Sequence, residues 1–193
     1  DGIDMLATSQ GIFFLLAIGF IFNSYSPIFV PLLAFLIFNI HPSKIFLGNS
    51  GSYLIGTLLA CYVFIIGFDF SSIPMIATCL ILLTIFIVDS TYVLIKRFYN
   101  KIVKDQVSFF ESIKHVVTNP HCSHNYQILT KRFANHSKVT MMLMLYNIFW
   151  CLPIAYVCFN LGSSIDIVWI LLLLLLSYFP YAFYCHINRT GEG

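Results

Sequence analysis

The sequence predicts an all-α integral membrane protein with about six transmembrane helices and a large cytoplasmic loop. Of its 193 residues, 59% are hydrophobic and only 9% are charged, and the mean hydropathy is +0.88. Soluble domains contain roughly 25% charged residues, so this composition excludes an ordinary soluble protein. The net charge of +2 is too small to indicate a nucleic acid partner. We therefore expect the lipid bilayer to surround most of the chain.

Long apolar runs place the individual spans. A membrane-spanning helix needs about 20 apolar residues, with a range of roughly 17–25. The second run is short and contains Pro31, so we expect it to be kinked, tilted or partly re-entrant. The six predicted spans cover residues 5–22, 27–40, 52–68, 73–95, 139–161 and 165–185.

The basic residues predict the orientation of these spans. Six crossings put both ends of the chain, the loop 41–52 and the loop 96–138 on one side of the membrane. All ten Lys and Arg residues fall on that side, and the opposite loops have none. Cytoplasmic loops carry the excess of Lys and Arg. We therefore expect both termini and both of these loops to be cytoplasmic.

The loop between the second and third runs is rich in glycine and small polar residues. It contains Lys44, followed by Gly48, Asn49, Ser50 and Gly51. Glycine lets a backbone approach a ligand closely, and Ser and Asn side chains can hydrogen-bond a phosphate or hold a metal ion. An ordinary polar turn is the alternative interpretation.

Three acidic residues lie at the ends of predicted spans. Asp1 and Asp4 are three residues apart, so on a helix they share a face, where two carboxylates can hold a divalent cation or act as a base. A capped helix start is the alternative, because Asp is favoured at helix N-termini. Asp89 lies near the end of the fourth span, where the sequence favours a structural ion pair with Lys96 over a catalytic role.

The large predicted loop contains a second polar cluster. His121, Cys122, Ser123 and His124 follow Pro120. Imidazolium groups together with Ser123 suit a diphosphate, whereas neutral imidazoles with Cys122 suit zinc. The diphosphate is favoured, because the loop has no second Cys and no usual zinc-ligand spacing. Histidines without a function on a surface loop are the remaining alternative.

Four motifs follow one another in this chain. Residues 1–7 read Asp-Gly-Ile-Asp-Met-Leu-Ala, and residues 42–52 read Pro-Ser-Lys-Ile-Phe-Leu-Gly-Asn-Ser-Gly-Ser. Residues 87–91 read Ile-Val-Asp-Ser-Thr, and residues 121–127 read His-Cys-Ser-His-Asn-Tyr-Gln. In order and spacing the chain resembles the C-terminal part of the bacterial polyprenyl-phosphate N-acetylhexosamine-1-phosphate transferases. These form the MraY-like superfamily, or glycosyltransferase family 4, and the last motif is similar to that of the O-antigen initiating enzymes.

The resemblance implies a reaction at the inner membrane. A UDP-sugar donates an N-acetylhexosamine or 6-deoxy-amino sugar 1-phosphate to undecaprenyl phosphate, which starts O-antigen or other cell-envelope glycan synthesis. The family requires Mg2+ or Mn2+, and the resemblance makes Asp1 and Asp4 catalytic carboxylates and Asn49 a metal ligand. The substrate-binding positions it implies are Lys44, Gly48, Ser50, Gly51, His121, Ser123 and His124.

The chain departs from the family pattern at several positions. Position 49 is Asn where the family has Asp, Met5 replaces a Gly, and Cys122 replaces an Arg. The Asp-Asp motif of the family lies upstream of anything in this sequence, so we expect the 193-residue chain alone to be inactive. Two other classes stay open. A transporter subunit would use Asp89 on an ion path, and a non-catalytic membrane scaffold would need no catalytic residue.

Overall fold

The regular secondary structure of the described part of the chain is all helical. The structure is a computed structural model that describes residues 3–70, 73–104, 111, 113, 124–162 and 166–190. Its elements are α1 (Leu6–Phe22), α2 (Phe29–Asn39), α3 (Gly48–Phe70), α4 (Ile73–Leu82), α5 (Thr84–Tyr99), α6 (Asn125–Phe133), α7 (His136–Tyr146), α8 (Leu152–Leu161) and α9 (Ile167–Thr190). A π-helical turn follows α5 at Asn100–Lys104, and another joins α7 to α8 at Asn147–Cys151. These elements confirm the predicted all-α fold class.

Several of these helices have the length and apolarity of membrane spans. Within the described residues, three pass on both counts: Gly48–Ile66, His136–Leu161 and Ile167–Asn188. The pair α4 and α5 makes a fourth if it counts as one bent span. Helices α1 and α2 are also apolar but have only 17 and 11 residues. The chain is thus an integral membrane protein by composition and helix length, and the number of six crossings stays a prediction.

The fourth predicted span is broken instead of continuous. Helices α4 and α5 meet at Leu83 with a bend of 77°. A break inside a membrane leaves carbonyl groups without helical partners, and these need other donors. The hydroxyl of Tyr178 donates to the Leu80 carbonyl at 3.2 Å, and the hydroxyl of Thr84 donates to the Ile81 carbonyl at 2.6 Å. Side-chain hydroxyls therefore compensate for the break.

The hydrogen bond that a proline removes from α9 is also replaced by a side-chain donor. Pro180 lies inside this helix and has no N–H, so the carbonyl of Leu176, four residues earlier, loses its helical donor. The indole Nε1–H of Trp150 donates to this carbonyl at 3.1 Å. A neighbouring helix thus supplies the hydrogen bond that the proline removes.

Much of the described part of the predicted loop 96–138 is helix. Helix α5 continues through the basic residues Lys96 and Arg97, which suit the negative end of a helix dipole. Helix α6 lies wholly within the predicted loop, and α7 begins three residues before the predicted fifth span. The Asn135 side chain caps α7 by accepting a hydrogen bond from the N–H of Lys138 at 2.9 Å. This cap explains the early helix start.

Helix α1 lies at the centre of the packed core. Most of its residues are buried, and Phe14 is completely so. One hydrophobic cluster joins α1 to α3, α4, α8 and α9 through residues such as Ile55, Ile81 and Ala155. A second cluster lies around the start of α1 and joins Leu6 to residues of α5, α6, α7 and α9. This second cluster brings the polar motifs to one end of the helix bundle.

Candidate functional site

Asp4 lies at the centre of a compact polar cluster just before α1. Its carboxylate Oδ2 accepts a hydrogen bond from His41 Nδ1 at 2.6 Å, and its Oδ1 accepts one from the Ser43 hydroxyl at 2.9 Å. The backbone N–H of Asp4 donates to His136 Nδ1 at 3.1 Å, and that nitrogen lies 3.5 Å from Oδ2. The rings of His41 and His136 stack with centroids 4.8 Å apart. We refer to Asp4, His41 and His136 as the Asp4 cluster.

The environment of Asp4 favours its ionised form. Burial raises the pKa of the Asp4 carboxyl, since only 11% of the side chain is exposed. Hydrogen bonds from His41 and Ser43 lower the pKa and, with the other interactions around the carboxylate, outweigh the effect of burial. The pKa of Asp4 therefore lies below its usual range. The result is a fixed negative charge at the start of α1.

A buried asparagine connects Asp4 to the glycine-rich segment. The Asn39 side-chain oxygen accepts hydrogen bonds from the N–H of Met5 at 2.9 Å and from the hydroxyl of Thr8 at 3.2 Å. Its amide group donates to the carbonyl of Ile45 at 3.0 Å. Because Asn39 is only 4% exposed, these bonds are shielded from water. They place the first and second motifs side by side.

The glycine-rich segment begins helix α3 and is not the loop that the sequence predicts. Gly48 is the first residue of α3 and has φ +63°, a value that favours glycine, and an added Cβ would meet nothing within 4 Å. Gly51 differs, because a Cβ there would lie 2.6 Å from Cδ1 of Leu47. Leu47 thus packs against Gly51, and only Gly48 leaves open space beside the backbone.

An open cleft of about 470 Å³ is lined by residues from all four motifs. Its polar lining comes from Asn49 and Ser52 at the start of α3, Asp89 and Ser90 on α5, and His124 before α6. Ala7 of α1 forms part of its wall and also lines a smaller cavity of about 200 Å³, which Asp4 and His136 line as well. We refer to the larger space as the Asn49 cleft. The two spaces share Ala7 at the start of α1.

Asp89 pairs with His124, whereas the sequence favours a pair with Lys96. Its Oδ2 lies 2.9 Å from His124 Nδ1, and its Oδ1 accepts the N–H of Asn125 at 2.8 Å. The side chain of Asp89 is 2% exposed and points toward the start of α6. The N-terminus of a helix favours a carboxylate, which explains this choice of partner.

His124 is held in place from several directions. It is the N-cap residue of α6, and its N–H donates to the side-chain oxygen of Gln127 at 3.2 Å. Its ring stacks on Tyr126 with centroids 5.1 Å apart and planes within 10° of each other. His124 has extended backbone angles, so it stands before the helix and not on a helical turn. These contacts fix the ring at the edge of the Asn49 cleft.

The structure brings together only part of the predicted site. Asn49 and His124 share one cleft, and Asp4 lines the neighbouring cavity. Lys44 and Ser50 are exposed and line neither space. Their assigned roles stay predictions. Three further predicted residues lie outside the described part of the chain, namely Asp1, His121 and Ser123.

The described residues of the Asn49 cleft do not by themselves fit a magnesium ion. Magnesium takes oxygen ligands in near-octahedral geometry. The cleft offers the amide oxygen of Asn49 and the hydroxyls of Ser52 and Ser90, while both oxygens of Asp89 already accept hydrogen bonds. This set has no carboxylate oxygen without a partner. The dependence on Mg2+ or Mn2+ therefore stays a prediction from the resemblance.

Two residues of the Asp4 cluster have no local sequence signal of a functional site. His41 directly precedes the glycine-rich motif, and His136 follows the Asn135 that caps α7. Each is a single histidine in a polar connection, and the separation of 132 residues between Asp4 and His136 gives no local pattern. Their positions next to recognised signals, a motif and a helix cap, are the only indications that the sequence contains.

Comparisons with known proteins agree with the fold and the motifs. Residues 1–68 match the model of the family described as glycosyl transferase family 4. The chain is 32% identical over 123 residues to the phospho-N-acetylmuramoyl-pentapeptide-transferase of Dictyoglomus thermophilum, an alignment that covers 60% of this chain and 38% of that enzyme. It is 33% identical over 84 residues to the enzyme of the same name from Petrotoga mobilis, covering 34% of this chain and 27% of the relative.

The chain thus spans less than two fifths of the length of these relatives. No solved structure gives a significant match. The family match covers the Asp4 and Asn49 motifs. On these matches the chain is similar to glycosyl transferase family 4 over its first 68 residues, and to phospho-N-acetylmuramoyl-pentapeptide-transferases over a longer stretch.

Proposed function

We propose that this chain is part of a transferase that moves a sugar-1-phosphate from a UDP-sugar to undecaprenyl phosphate. Such a reaction has two anionic substrates, one soluble and one with an apolar tail. The apolar helices suit the tail, and the polar motifs at one end of the bundle suit the two phosphate groups. The names of the relatives, phospho-N-acetylmuramoyl-pentapeptide-transferases, support a phospho-sugar transfer of this kind.

The observation that carries the proposal is the composition of the Asn49 cleft. Asn49 from the glycine-rich motif, Asp89 from the third motif and His124 from the histidine motif line the same space. These residues are far apart in the sequence, and a ligand that all three contact would explain why they line one open cleft.

The cleft has the chemistry to bind a diphosphate. Helix α3 begins at Gly48, and the N-terminus of a helix presents N–H groups and partial positive charge to an anion. His124 adds an imidazole. The hydrogen bond between its Nδ1 and Asp89 fixes the orientation of the ring, and with it the direction of Nε2. Gly48 leaves room for close approach of the backbone. In this proposal His124 and the start of α3 hold the donor while the lipid phosphate attacks.

The substrate and location are also proposed from the resemblance. The sugar is an N-acetylhexosamine or a 6-deoxy-amino sugar, and the product starts O-antigen or another cell-envelope glycan. The protein lies in the inner membrane with its polar motifs in the cytoplasm, and the transfer depends on Mg2+ or Mn2+. The motif at residues 121–127 and the placement of the basic residues support these assignments.

A product assay tests the proposal. The full-length protein from the same gene, in detergent or lipid, is incubated with undecaprenyl phosphate, magnesium and either UDP-N-acetylglucosamine or a UDP-linked 6-deoxy-amino sugar. We expect release of UMP together with a lipid-linked sugar, and loss of both products in His124→Ala. Asp166→Asn serves as the control, because Asp166 is exposed just before α9, at the other end of that helix from the Asn49 cleft. Absence of UMP with every donor would favour the scaffold or transporter class.

A further inference from the structure

We propose that Asp4, His41 and His136 form a binding site for a zinc-like transition-metal ion. One ligand atom from each of the three residues lies within 4.8 Å of the others. The site is separate from the magnesium dependence discussed above, since it uses two histidines that the family resemblance does not assign. Its existence does not depend on the proposed transferase activity.

The distances in the cluster are close to those of a metal site. Zinc binds histidine nitrogen at about 2.0–2.1 Å in tetrahedral geometry, which places neighbouring ligand atoms about 3.3 Å apart. Asp4 Oδ2 lies 2.6 Å from His41 Nδ1 and 3.5 Å from His136 Nδ1. Shifts of an ångström or so in side-chain position would therefore make room for an ion between the three groups.

The donor set selects the class of ion. Two imidazoles and one carboxylate suit zinc, cobalt or nickel, whereas magnesium and calcium prefer oxygen ligands. His136 Nδ1 accepts the backbone N–H of Asp4, so it carries a lone pair, and an ion would replace this hydrogen bond at that nitrogen. His41 Nδ1 donates to Asp4 Oδ2, and an ion would take the place of that proton.

Three separate chain segments hold the ligands. Asp4 precedes α1, His41 follows α2 and His136 begins α7. The hydroxyl of Ser43 donates to Asp4 Oδ1 and fixes the carboxylate so that Oδ2 faces both histidines. A hydrogen bond to the second oxygen of a ligating carboxylate is typical of metal sites.

The cluster is accessible to an ion from solution. The side chains of His41 and His136 are 37% and 33% exposed, and Asp4 is 11% exposed. Three protein ligands leave a fourth position for water or another ligand, as in catalytic and regulatory zinc sites. A bound ion would use the carboxylate of Asp4, one of the residues to which the family resemblance assigns a catalytic role. Zinc would then compete with that role.

Cobalt is the probe for this site, because tetrahedral Co2+ has a strong visible absorption and zinc has none. The purified chain, freed of metal with a chelator, is titrated with Co2+ alone, and bound metal is measured by mass spectrometry after gel filtration. His41→Phe is the main variant, since it keeps a ring against His136 but removes the ligand. His136→Ala is the second variant. His186→Ala is the matched control, because His186 is exposed, pairs with the Tyr92 hydroxyl and lies outside the cluster.

We expect Co2+ to bind the unchanged chain and His186→Ala with the tetrahedral absorption, and Zn2+ to displace it. Each variant of the cluster should weaken binding by more than about tenfold. The helical circular dichroism of His41→Phe should stay unchanged, which separates the loss of a ligand from unfolding. Absence of the absorption in the unchanged chain would overturn the proposal. Equal binding by His41→Phe and the unchanged chain would overturn it as well.

Discussion

The carboxylate of Asp89 and the imidazole of His124 form a hydrogen bond of 2.9 Å, although 35 residues separate them in the sequence. Asp89 also accepts the N–H of Asn125, so this one side chain fixes the start of α6. The pair lies at the edge of the Asn49 cleft. A buried carboxylate on α5 therefore determines where the histidine motif stands.

Replacing Asp89 by Asn should destabilise the protein and leave the ring of His124 less firmly positioned. Asparagine keeps an oxygen for the Asn125 N–H but lacks the charge that favours the His124 bond. Charge-assisted hydrogen bonds contribute about 1.5–3 kcal/mol, so we expect the free energy of unfolding to fall by about 1.5 kcal/mol. We expect transfer activity to fall by about tenfold to a hundredfold, because displaced binding groups have effects of that size. Thermal unfolding and UMP release measure the two effects.

The exposed residue Asp166 supplies the control for this prediction. Asp166→Asn removes the same charge at an exposed position before α9. Its unfolding free energy should change by less than about 0.5 kcal/mol. An Asp89→Asn protein with unchanged stability and activity would contradict the role given to the hydrogen bond between Asp89 and His124.

Replacing Asn49 by Asp should lower the concentration of Mg2+ that the transfer reaction needs. Asn49 is exposed and lines the cleft, but its amide oxygen brings no charge. Charged ligands raise the affinity for Mg2+, so the concentration of Mg2+ for half-maximal transfer should fall by about tenfold. Asn160→Asp is the control, because it places the same new charge at the other end of the bundle on α8. An unchanged Mg2+ requirement in Asn49→Asp would mean that this position does not contact the ion.

The sequence predicted the fold well because apolar runs dominate it. Each of the six predicted segments corresponds to described helix, since a run of about 20 apolar residues leaves the backbone few alternatives in a membrane. The break at Leu83 was not predictable, since residues 73–95 are apolar on both sides of it and the compensating hydroxyl of Tyr178 lies on another helix.

The candidate site was predictable only where a motif marks it. Asn49 and His124 lie in recognised motifs and share the Asn49 cleft. His41 and His136 were not recognised, because their contact with Asp4 depends on how α1, α2 and α7 pack. The partner of Asp89 was mispredicted for the same reason. Lys96 lies on the same helix and is visible in the sequence pattern, while His124 becomes a neighbour only after folding.

Two glycines of α3 should respond to alanine in opposite directions. Gly48 has φ +63°, so alanine there should lower the free energy of unfolding by about 1 kcal/mol. Gly56 lies inside the helix with nothing within 4 Å of an added Cβ, so alanine there should raise it by about 0.5–1 kcal/mol. Reversible denaturation in detergent micelles compares the two. Stabilisation by Gly48→Ala would show that α3 does not begin with this left-handed residue.

The hydrogen bond from Trp150 to the Leu176 carbonyl should matter only while residue 180 is proline. Trp150→Phe leaves that carbonyl without a donor, and we expect a loss of about 1 kcal/mol in the free energy of unfolding. In Pro180→Ala the new N–H of residue 180 can donate to the same carbonyl along the helix, so Trp150→Phe should then cost much less.

Trp169→Phe, at an exposed position on α9, should have a small effect in both backgrounds. A double-mutant cycle measures the coupling between Trp150 and Pro180. Equal costs of Trp150→Phe in the two backgrounds would mean that the indole does not replace the hydrogen bond that the proline removes.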